Sequence, residues 1–379
     1  MKLLFCHRSI RKGGIATGLK QRLNYLSENT NYEIHVLSEL SNNPETIKQF
    51  DTKIKFHVLD IQHLTNKKRI PILGYFRLIE EVKKEYQKFI DDMQPDFITG
   101  FGYGYNQEII PYIKTSAIKV IELRGSYASR KNLNKKTDYI DFFKKDLRNL
   151  HNKYHYSIML TQEDLEDRTY LKNKKLQINN SFKKVDDIKP FAERENIIIA
   201  VGTLTQNKNF IDLIKAAKLI KESLNNWKIH IYGEGVEDKF LNQKIKEYNL
   251  ENIIELKGFK NNLHDSFNNS KILVSTSLSE GMPRNLLEAF SYKTPIISYN
   301  CKCGPKEIIR NGINGYLIDF NVNQLADRIV ELVSNPDQLR VFSSNTWIDK
   351  EKFDFENTMK QWVDFYEQVA QDKTNSINT

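Results

Sequence analysis

Short β-rich runs alternate with longer amphipathic stretches along almost the whole chain. In the first half the runs are Lys2–His7, Tyr32–Leu37, Ile54–Leu59, Asp96–Phe101, Ile118–Leu123 and Tyr156–Leu160. They are rich in β-branched and aromatic residues, which suit a pleated, buried surface. Between them, apolar positions recur at helical spacing over Gly18–Ser27, Leu73–Asp92 and Asp138–Asn149. After a polar break at Lys183–Glu195 the alternation resumes. Strands are expected at Asn196–Val201, Lys228–Tyr232, Ile253–Leu256, Ile272–Ser275, Pro295–Ser298 and Gly315–Ile318. The helices of this second series are Asn209–Lys221, Asp238–Tyr248, Leu286–Tyr292 and Gln324–Val333. Strand–helix alternation predicts an α/β fold with parallel sheets covered on both faces. Two such series predict two doubly wound, Rossmann-like domains in tandem, residues 1–185 and 186–350, joined near 184–195. In the tail, 351–379, the stretch Phe353–Val369 sets Phe355, Met359, Trp362, Phe365, Tyr366 and Val369 on one helical face. Its polar end, Asp372–Thr379, is expected to fray.

The 379 residues are 40% hydrophobic and 28% charged, a globular composition. No apolar run approaches the roughly 18 residues of a spanning helix. The N-terminal apolar run stops at His7 and Arg8, too soon for a signal-peptide core, so a cytoplasmic protein is expected. Cys6, Cys301 and Cys303 form no disulfide framework, and Cys301-Lys302-Cys303 is at most half a metal site. The net charge of +9 predicts an anionic partner. Basic clusters gather in the first half, at 67–69, 130–136, 144–148, 172–175 and 183–184. A solvated lysine-rich surface is the plain alternative. No helix-turn-helix, zinc-finger or RNP-type pattern accompanies them, so nucleic acid is not expected; an anionic membrane surface or a phosphorylated substrate fits better.

Ligands of open α/β sheets bind beyond the carboxyl ends of the strands, which directs attention to the loops there. Arg11-Lys12-Gly13-Gly14 follows the first strand and leads into a helix, a place where backbone N–H groups approach an anion. It lacks the spaced glycines of a dinucleotide site. Gly202-Thr203-Leu204-Thr205-Gln206-Asn207-Lys208 follows the first strand of the second series and brings a lysine to a helix start. Tyr232-Gly233-Glu234-Gly235 is a tight strand-to-helix turn. The most specific stretch is Ser279-Glu280-Gly281-Met282-Pro283-Arg284-Asn285-Leu286-Leu287-Glu288-Ala289-Phe290. Gly281 permits a close turn, Pro283 suits a helix's first turn, and Glu288 lies in an apolar helix where a carboxylate needs a partner. A vicinal diol such as a ribose is one; a salt bridge is another.

This stretch resembles the E-x7-E signature of the family 4 glycosyltransferases. The resemblance continues through Pro295–Ser298, Gly304–Ile309 and Asn311–Leu317, and over Gly202–Ala216 and Ile231–Gly258. The first half is similar more loosely, at Gly13-Gly14 and Thr161-Gln162-Glu163-Asp164. The resemblance implies the GT-B fold: two Rossmann-like domains facing a cleft, with a C-terminal helix crossing back to the first. It implies that Glu288 holds ribose hydroxyls and Glu280 the donor sugar, helped by the N–H groups of Gly281 and Met282. Lys208 would neutralise the donor diphosphate and Gly14 approach it. Gly258 and Phe259 would receive the base, and Gly202, Thr203, Gly233, Arg284, Asn285 and Leu286 complete the donor site. Thr203 stands where the family usually has an arginine. Arg284 is one cation able to replace it, and Arg124, in Glu122-Leu123-Arg124-Gly125-Ser126, is the other. The catalytic candidates are therefore Glu280, Lys208 and Arg124. The first-domain histidine of many relatives is not found; His7, His35 and His151 read as structural.

The expected activity is a retaining transfer of a hexose or N-acetylhexosamine from a nucleotide diphosphate sugar, with UDP preferred. The expected acceptor is a surface polysaccharide or lipid-linked oligosaccharide at the inner face of the membrane. No Asp-x-Asp sits at a strand end, so neither metal nor cofactor is expected. A sugar-nucleotide 2-epimerase on the same fold, or a non-catalytic nucleotide-sugar-binding or scaffold protein, are the competing readings.

Overall fold

The computed structural model describes residues 1–378 apart from Lys12, residues 62–71, Tyr103 and residues 128–146; of 72–76, 147–148 and 376–378 it describes the backbone. It divides into two compact units: Met1–Ile178 with Met359–Thr379, and Asn179–Thr358. The candidate helix at 138–149 falls mostly outside the described residues, as do the basic clusters at 67–69, 130–136 and 144–145.

The sheet of the first unit holds β1 (Lys2–His7), β2 (Glu33–Ser38), β3 (Lys55–Val58), β4 (Phe97–Phe101), β5 (Ile118–Leu123), β6 (Tyr156–Met159) and β7 (Lys174–Gln177). Their order is β3-β2-β1-β4-β5-β6-β7 and every pair is parallel. A parallel strand covered on both faces has no solvent side, so its sequence loses alternation. Leu3, Leu4, Phe5 and Cys6 are accordingly all buried in succession. Leu4, Cys6, Ile98 and Ile121 share one core with Leu78, Val82 and Tyr86 of the helix Ile72–Met93.

β7 is a strand that the pattern of apolar residues does not announce. Its sequence, Lys-Lys-Leu-Gln, reads as part of a basic cluster, yet it pairs with β6 at the end of the sheet. Lysine on an edge strand keeps the unpaired backbone groups from recruiting another strand.

In the second unit, β8 (Ile197–Val201), β9 (Lys228–Tyr232), β10 (Ile254–Gly258), β11 (Ile272–Ser275), β12 (Ile296–Tyr299) and β13 (Gly315–Ile318) run in the order β10-β9-β8-β11-β12-β13, again all parallel. Ile198, Ile231, Val274 and Ile297 from the strands pack with Leu213, Leu325 and Ile329 from the helices Phe210–Leu219 and Val322–Ser334. The polar stretch Lys183–Glu195 packs on this unit. Arg194 is buried and donates to the carbonyls of Tyr292 (2.6 Å) and Ser270 (3.3 Å) and to Thr294 Oγ1 (3.2 Å).

The tail is a helix over Phe355–Asn378, which carries the chain back into the first unit from Met359 onward. It continues through the polar end expected to fray, and Lys373 Nζ donates to the Ser116 carbonyl at 2.7 Å. Trp362, Phe365 and Tyr366 are buried, with Phe97 edge-on to Tyr366 at 5.1 Å and Tyr156 edge-on to Phe365 at 5.3 Å. The fold is GT-B: two Rossmann-like units with a terminal helix returned to the first.

Candidate functional site

Strand order in the second unit reverses between β8 and β11, and the loops leaving these two strands are neighbours at that switch point. The loop after β8 is stitched to the one after β9. Gly202 N–H donates to the Tyr232 carbonyl at 3.0 Å and Leu204 N–H to the Glu234 carbonyl at 2.9 Å. Gly233 has φ 146°, and a Cβ on it would lie 1.9 Å from the Gly202 carbonyl oxygen, so the two backbones touch where no side chain fits. Gly233 N–H then donates to the Gly258 carbonyl at 2.9 Å. Gly202, Gly233 and Gly258 thus line up across the ends of β8, β9 and β10, with the exposed Phe259 ring just beyond.

The loop after β11 is zipped to the loop after β8. Leu278 N–H donates to the Asn207 carbonyl at 2.8 Å, Asn207 Nδ2 to the Ser279 carbonyl at 2.9 Å, and Thr276 Oγ1 to the Lys208 carbonyl at 2.9 Å. The result is a short ion pair, Lys208 Nζ to Glu280 Oε1 at 2.6 Å, both side chains largely buried. Two residues 72 positions apart are therefore joined. Thr203 is exposed and supplies no cation.

Backbone N–H groups of Gly281 and Met282 have no acceptor among the described residues. Met282 is buried, and its carbonyl accepts from Asn180 Nδ2 at 3.0 Å. The turn leans on Gly304, whose φ is 105° and whose added Cβ would lie 2.4 Å from Pro283 Cδ and 3.0 Å from Met282 Cα. Gly304 therefore seats the turn, a role beyond its place in the resemblance.

Pro283 stands one position earlier than expected, at the cap of the helix Arg284–Ser291 rather than inside its first turn. Asn285 Nδ2 donates to the Val201 carbonyl at 3.0 Å and ties this helix to β8. Leu286 is fully buried, so its side chain belongs to the core and only its backbone faces the turn. Glu288 is half-buried, with no hydrogen-bond or ion-pair partner for its carboxylate among the described residues. Burial raises its carboxyl above the usual glutamate range, and Arg284 on the preceding turn offsets this in part. A carboxylate with unmet acceptors, two free N–H groups and a lysine held by a second carboxylate suit a ligand that carries hydroxyls and an anionic group.

Gly14 and Arg124 lie in the first unit. Gly14 opens the helix Gly14–Asn29, capped by Gly13 at φ 140°. Arg124 follows β5 and donates through Nε and Nη2 to Glu122 Oε2, at 3.0 and 2.7 Å. Glu122 Oε1 accepts from Arg22 Nη2 at 2.7 Å. The β5 loop is pinned from below as well. Asp164 Oδ1 accepts from Tyr127 N–H at 2.8 Å, and Arg168 Nη2 donates to the Gly125 carbonyl at 2.7 Å. Arg22 was invisible as a partner because it sits inside a helical pattern 100 positions from Glu122. His35 stacks on His57 and bonds to it at 2.9 Å, and His151 meets the Tyr170 hydroxyl at 3.0 Å. His7 ends β1, where its Nδ1 accepts from Ser9 N–H at 3.0 Å.

Among the described residues no cluster of His, Cys, Asp or Glu is placed to hold a metal ion, and no helix is long and apolar enough to cross a membrane.

Comparison with known proteins adds to this geometry. Residues 181–347, which hold the whole switch-point site, match the family model of the glycosyl transferases group 1. The amylovoran biosynthesis glycosyltransferase AmsD of Erwinia amylovora is 33% identical over 186 residues, 49% of this chain and 51% of that protein. The poly(ribitol-phosphate) alpha-N-acetylglucosaminyltransferase of Staphylococcus aureus is 32% identical over 190 residues, 49% of this chain and 38% of its own. The chain thus spans about half of the first of these two relatives and less of the second. Among solved structures, a TarM variant from S. aureus in complex with fondaparinux, alpha-GlcNAc-glycerol and UDP has a TM-score of 0.77 at 17% identity, covering 96% of this chain and 99% of that one. At that identity the likeness is one of fold.

Proposed function

We propose that this chain is a retaining glycosyltransferase that moves a hexose or N-acetylhexosamine from a nucleotide diphosphate sugar, with UDP the nucleotide we favour. The acceptor in this reading is a surface polysaccharide or a lipid-linked oligosaccharide. One observation carries it: Glu288, half-buried and without a hydrogen-bond or ion-pair partner among the described residues, lies eight positions along the chain from Glu280, which pairs with Lys208, and next to a turn whose Gly281 and Met282 N–H groups have no acceptor among those residues. A ribose donates two hydroxyls to Glu288. The diphosphate draws Lys208, the one cation of the β8 loop, away from Glu280 and frees that carboxylate for sugar hydroxyls.

Neither glutamate acts as a nucleophile here. A retaining hydrolase sets two carboxyl groups about 5–5.5 Å apart across the scissile bond. In this reading Glu280 holds sugar hydroxyls and Glu288 the ribose, so neither is assigned to the reacting carbon. Catalysis rests on holding the donor and neutralising the leaving diphosphate, whose oxygen takes the acceptor proton on the face from which it departs. The names of the relatives, amylovoran and poly(ribitol phosphate) among them, support a polymeric acceptor.

The test is to incubate the protein with a panel of nucleotide sugars and to follow free nucleotide, free sugar and sugar epimers. Transfer or slow hydrolysis of one donor, with the anomeric configuration kept, is expected. A new sugar nucleotide formed without any acceptor would establish an epimerase. Binding without turnover would establish a non-catalytic protein.

A further inference from the structure

Beyond the switch-point site, the first unit carries a charge arrangement at the carboxyl ends of its own strands. Arg124 gives Nε and Nη2 to Glu122, which leaves its Nη1 amino group without an acceptor among the described residues. The next residue, Gly125, has a backbone N–H in the same condition, and a Cβ on it would meet nothing within 4 Å. No described residue fills the space beside Gly125. His7, at the end of β1, and Arg124 both lie against the Phe101 ring, at 4.8 and 5.8 Å from its centre. Because Nδ1 of His7 accepts from Ser9, its Nε2 carries the proton in the neutral ring. Burial lowers the His7 pKa to about 4, so the ring adds a donor and no charge near neutrality. Imidazole, guanidinium and backbone amide donors thus stand at this end of the sheet with no acceptor of their own among the described residues.

A carboxylate bound to Arg124 ought to cancel its charge. Arg22 prevents this. Its Nη2 holds the second oxygen of Glu122 at 2.7 Å, and both partners are almost fully buried. Burial alone opposes the charge of Glu122; Arg22 and Arg124 together overcome it and hold the carboxyl below the usual range. Two cations and one anion leave the triad with one net positive charge. Arg22 in turn is fixed by the tail helix: its guanidinium lies 3.9 Å from the Trp362 ring centre and 5.1 Å from that of Phe5. Among the described residues Nε and Nη1 of Arg22 are buried without hydrogen-bond partners, so hydrogen bonding alone does not explain why an arginine stands there.

We propose that His7, Arg124 and Gly125 form a binding site for a phosphate-type oxyanion, and that Arg22, held by Trp362, is a positioning residue that keeps this site net positive. On the reading given above, the oxyanion is a phosphate of the acceptor.

The test uses the full chain and inorganic phosphate as the probe, titrated calorimetrically with UDP at saturation so that the switch-point site is occupied. Arg22→Met leaves Glu122 facing Arg124 alone and is expected to weaken phosphate by about tenfold or more. Adding Glu122→Gln to it removes the uncompensated carboxylate and should bring affinity back to within about threefold of wild type. A side chain that merely supports the fold gives the opposite result, since the double variant disturbs more. Equal phosphate affinity in all three proteins, or a double variant as weak as the single one, overturns the proposal. Should Arg22→Met not fold, Glu122→Gln alone decides: it keeps both arginines and should tighten phosphate severalfold, and unchanged affinity sinks the idea. If UDP fails to bind wild type, the donor reading falls while the phosphate series, run without UDP, still judges this site. In the transfer assay phosphate should compete with the acceptor; an unchanged acceptor KM overturns the assignment to the acceptor.

Discussion

Glu288 shows how a single carboxylate carries opposite consequences for binding and for stability. Burial raises its pKa, which means that the folded chain disfavours the charged form. For a carboxyl with a raised folded-state pKa, stability is greatest when the group is protonated and falls as pH rises through that pKa. Glu288→Gln removes the cost of the buried charge. It should therefore unfold at a higher temperature than wild type at pH 7, with the gap closing as pH falls below the ordinary glutamate value of about 4.3. The same variant should bind nucleotide more weakly. A lower melting temperature at pH 7 would mean that Glu288 already has a favourable partner. Glu280 differs, since its charge is met by Lys208. Glu288→Ala is expected to raise the nucleotide Kd, whereas Glu280→Ala should mainly lower kcat; equal losses of nucleotide affinity contradict the division of roles. Gly233 belongs to this scale too. Gly233→Ala drives a Cβ to within 1.9 Å of the Gly202 carbonyl, a backbone that cannot swing aside. A loss of about 1–3 kcal/mol or more is expected from denaturant unfolding.

Among the elements, the tail helix has the largest consequence. Its aromatic face is a helical stripe legible from residue spacing, but a stripe does not say what it covers. The structure returns it to the first unit, where Trp362 is 4% exposed and stacks on the Arg22 guanidinium. Trp362→Ala should cost about 3–5 kcal/mol in denaturant unfolding, the usual price of emptying a large aromatic site. A change within 0.5 kcal/mol would show the helix to be loosely held. The loops behave differently from the helices. Lys208 and Glu280 each stood out in the sequence as candidate site residues. Their pairing did not, because it depends on β8 and β11 being neighbours in a sheet whose order departs from the order of the chain. β7 shows the converse failure, where edge position lets a strand be written in lysine and hides it from hydrophobic patterning.

At the scale of the whole molecule, charge and chemistry are the readable quantities. The net charge of +9 leads to the expectation that the protein sediments with anionic vesicles at low salt and leaves them as ionic strength rises. Absence of binding at low salt would remove the membrane from the picture. Transfer in this proposal draws on lysine and backbone N–H groups to meet the diphosphate, so activity should persist with chelator in excess; complete loss would require a metal that none of these residues accounts for. How much of the molecule was legible follows a physical line. Hydrophobic period and glycine position are local properties, so the chain itself determined that two parallel α/β sheets form and pointed to Gly202–Lys208 and Glu280–Glu288 as candidate ligand loops. What only the tertiary structure decided are the partnerships of charge: Lys208 with Glu280, and Arg22 with Glu122 and Arg124, the latter reaching across 100 positions. Buried charges are settled by whichever opposite charge the fold brings within reach, and that is a property of strand order and helix docking, which no local pattern of residues contains.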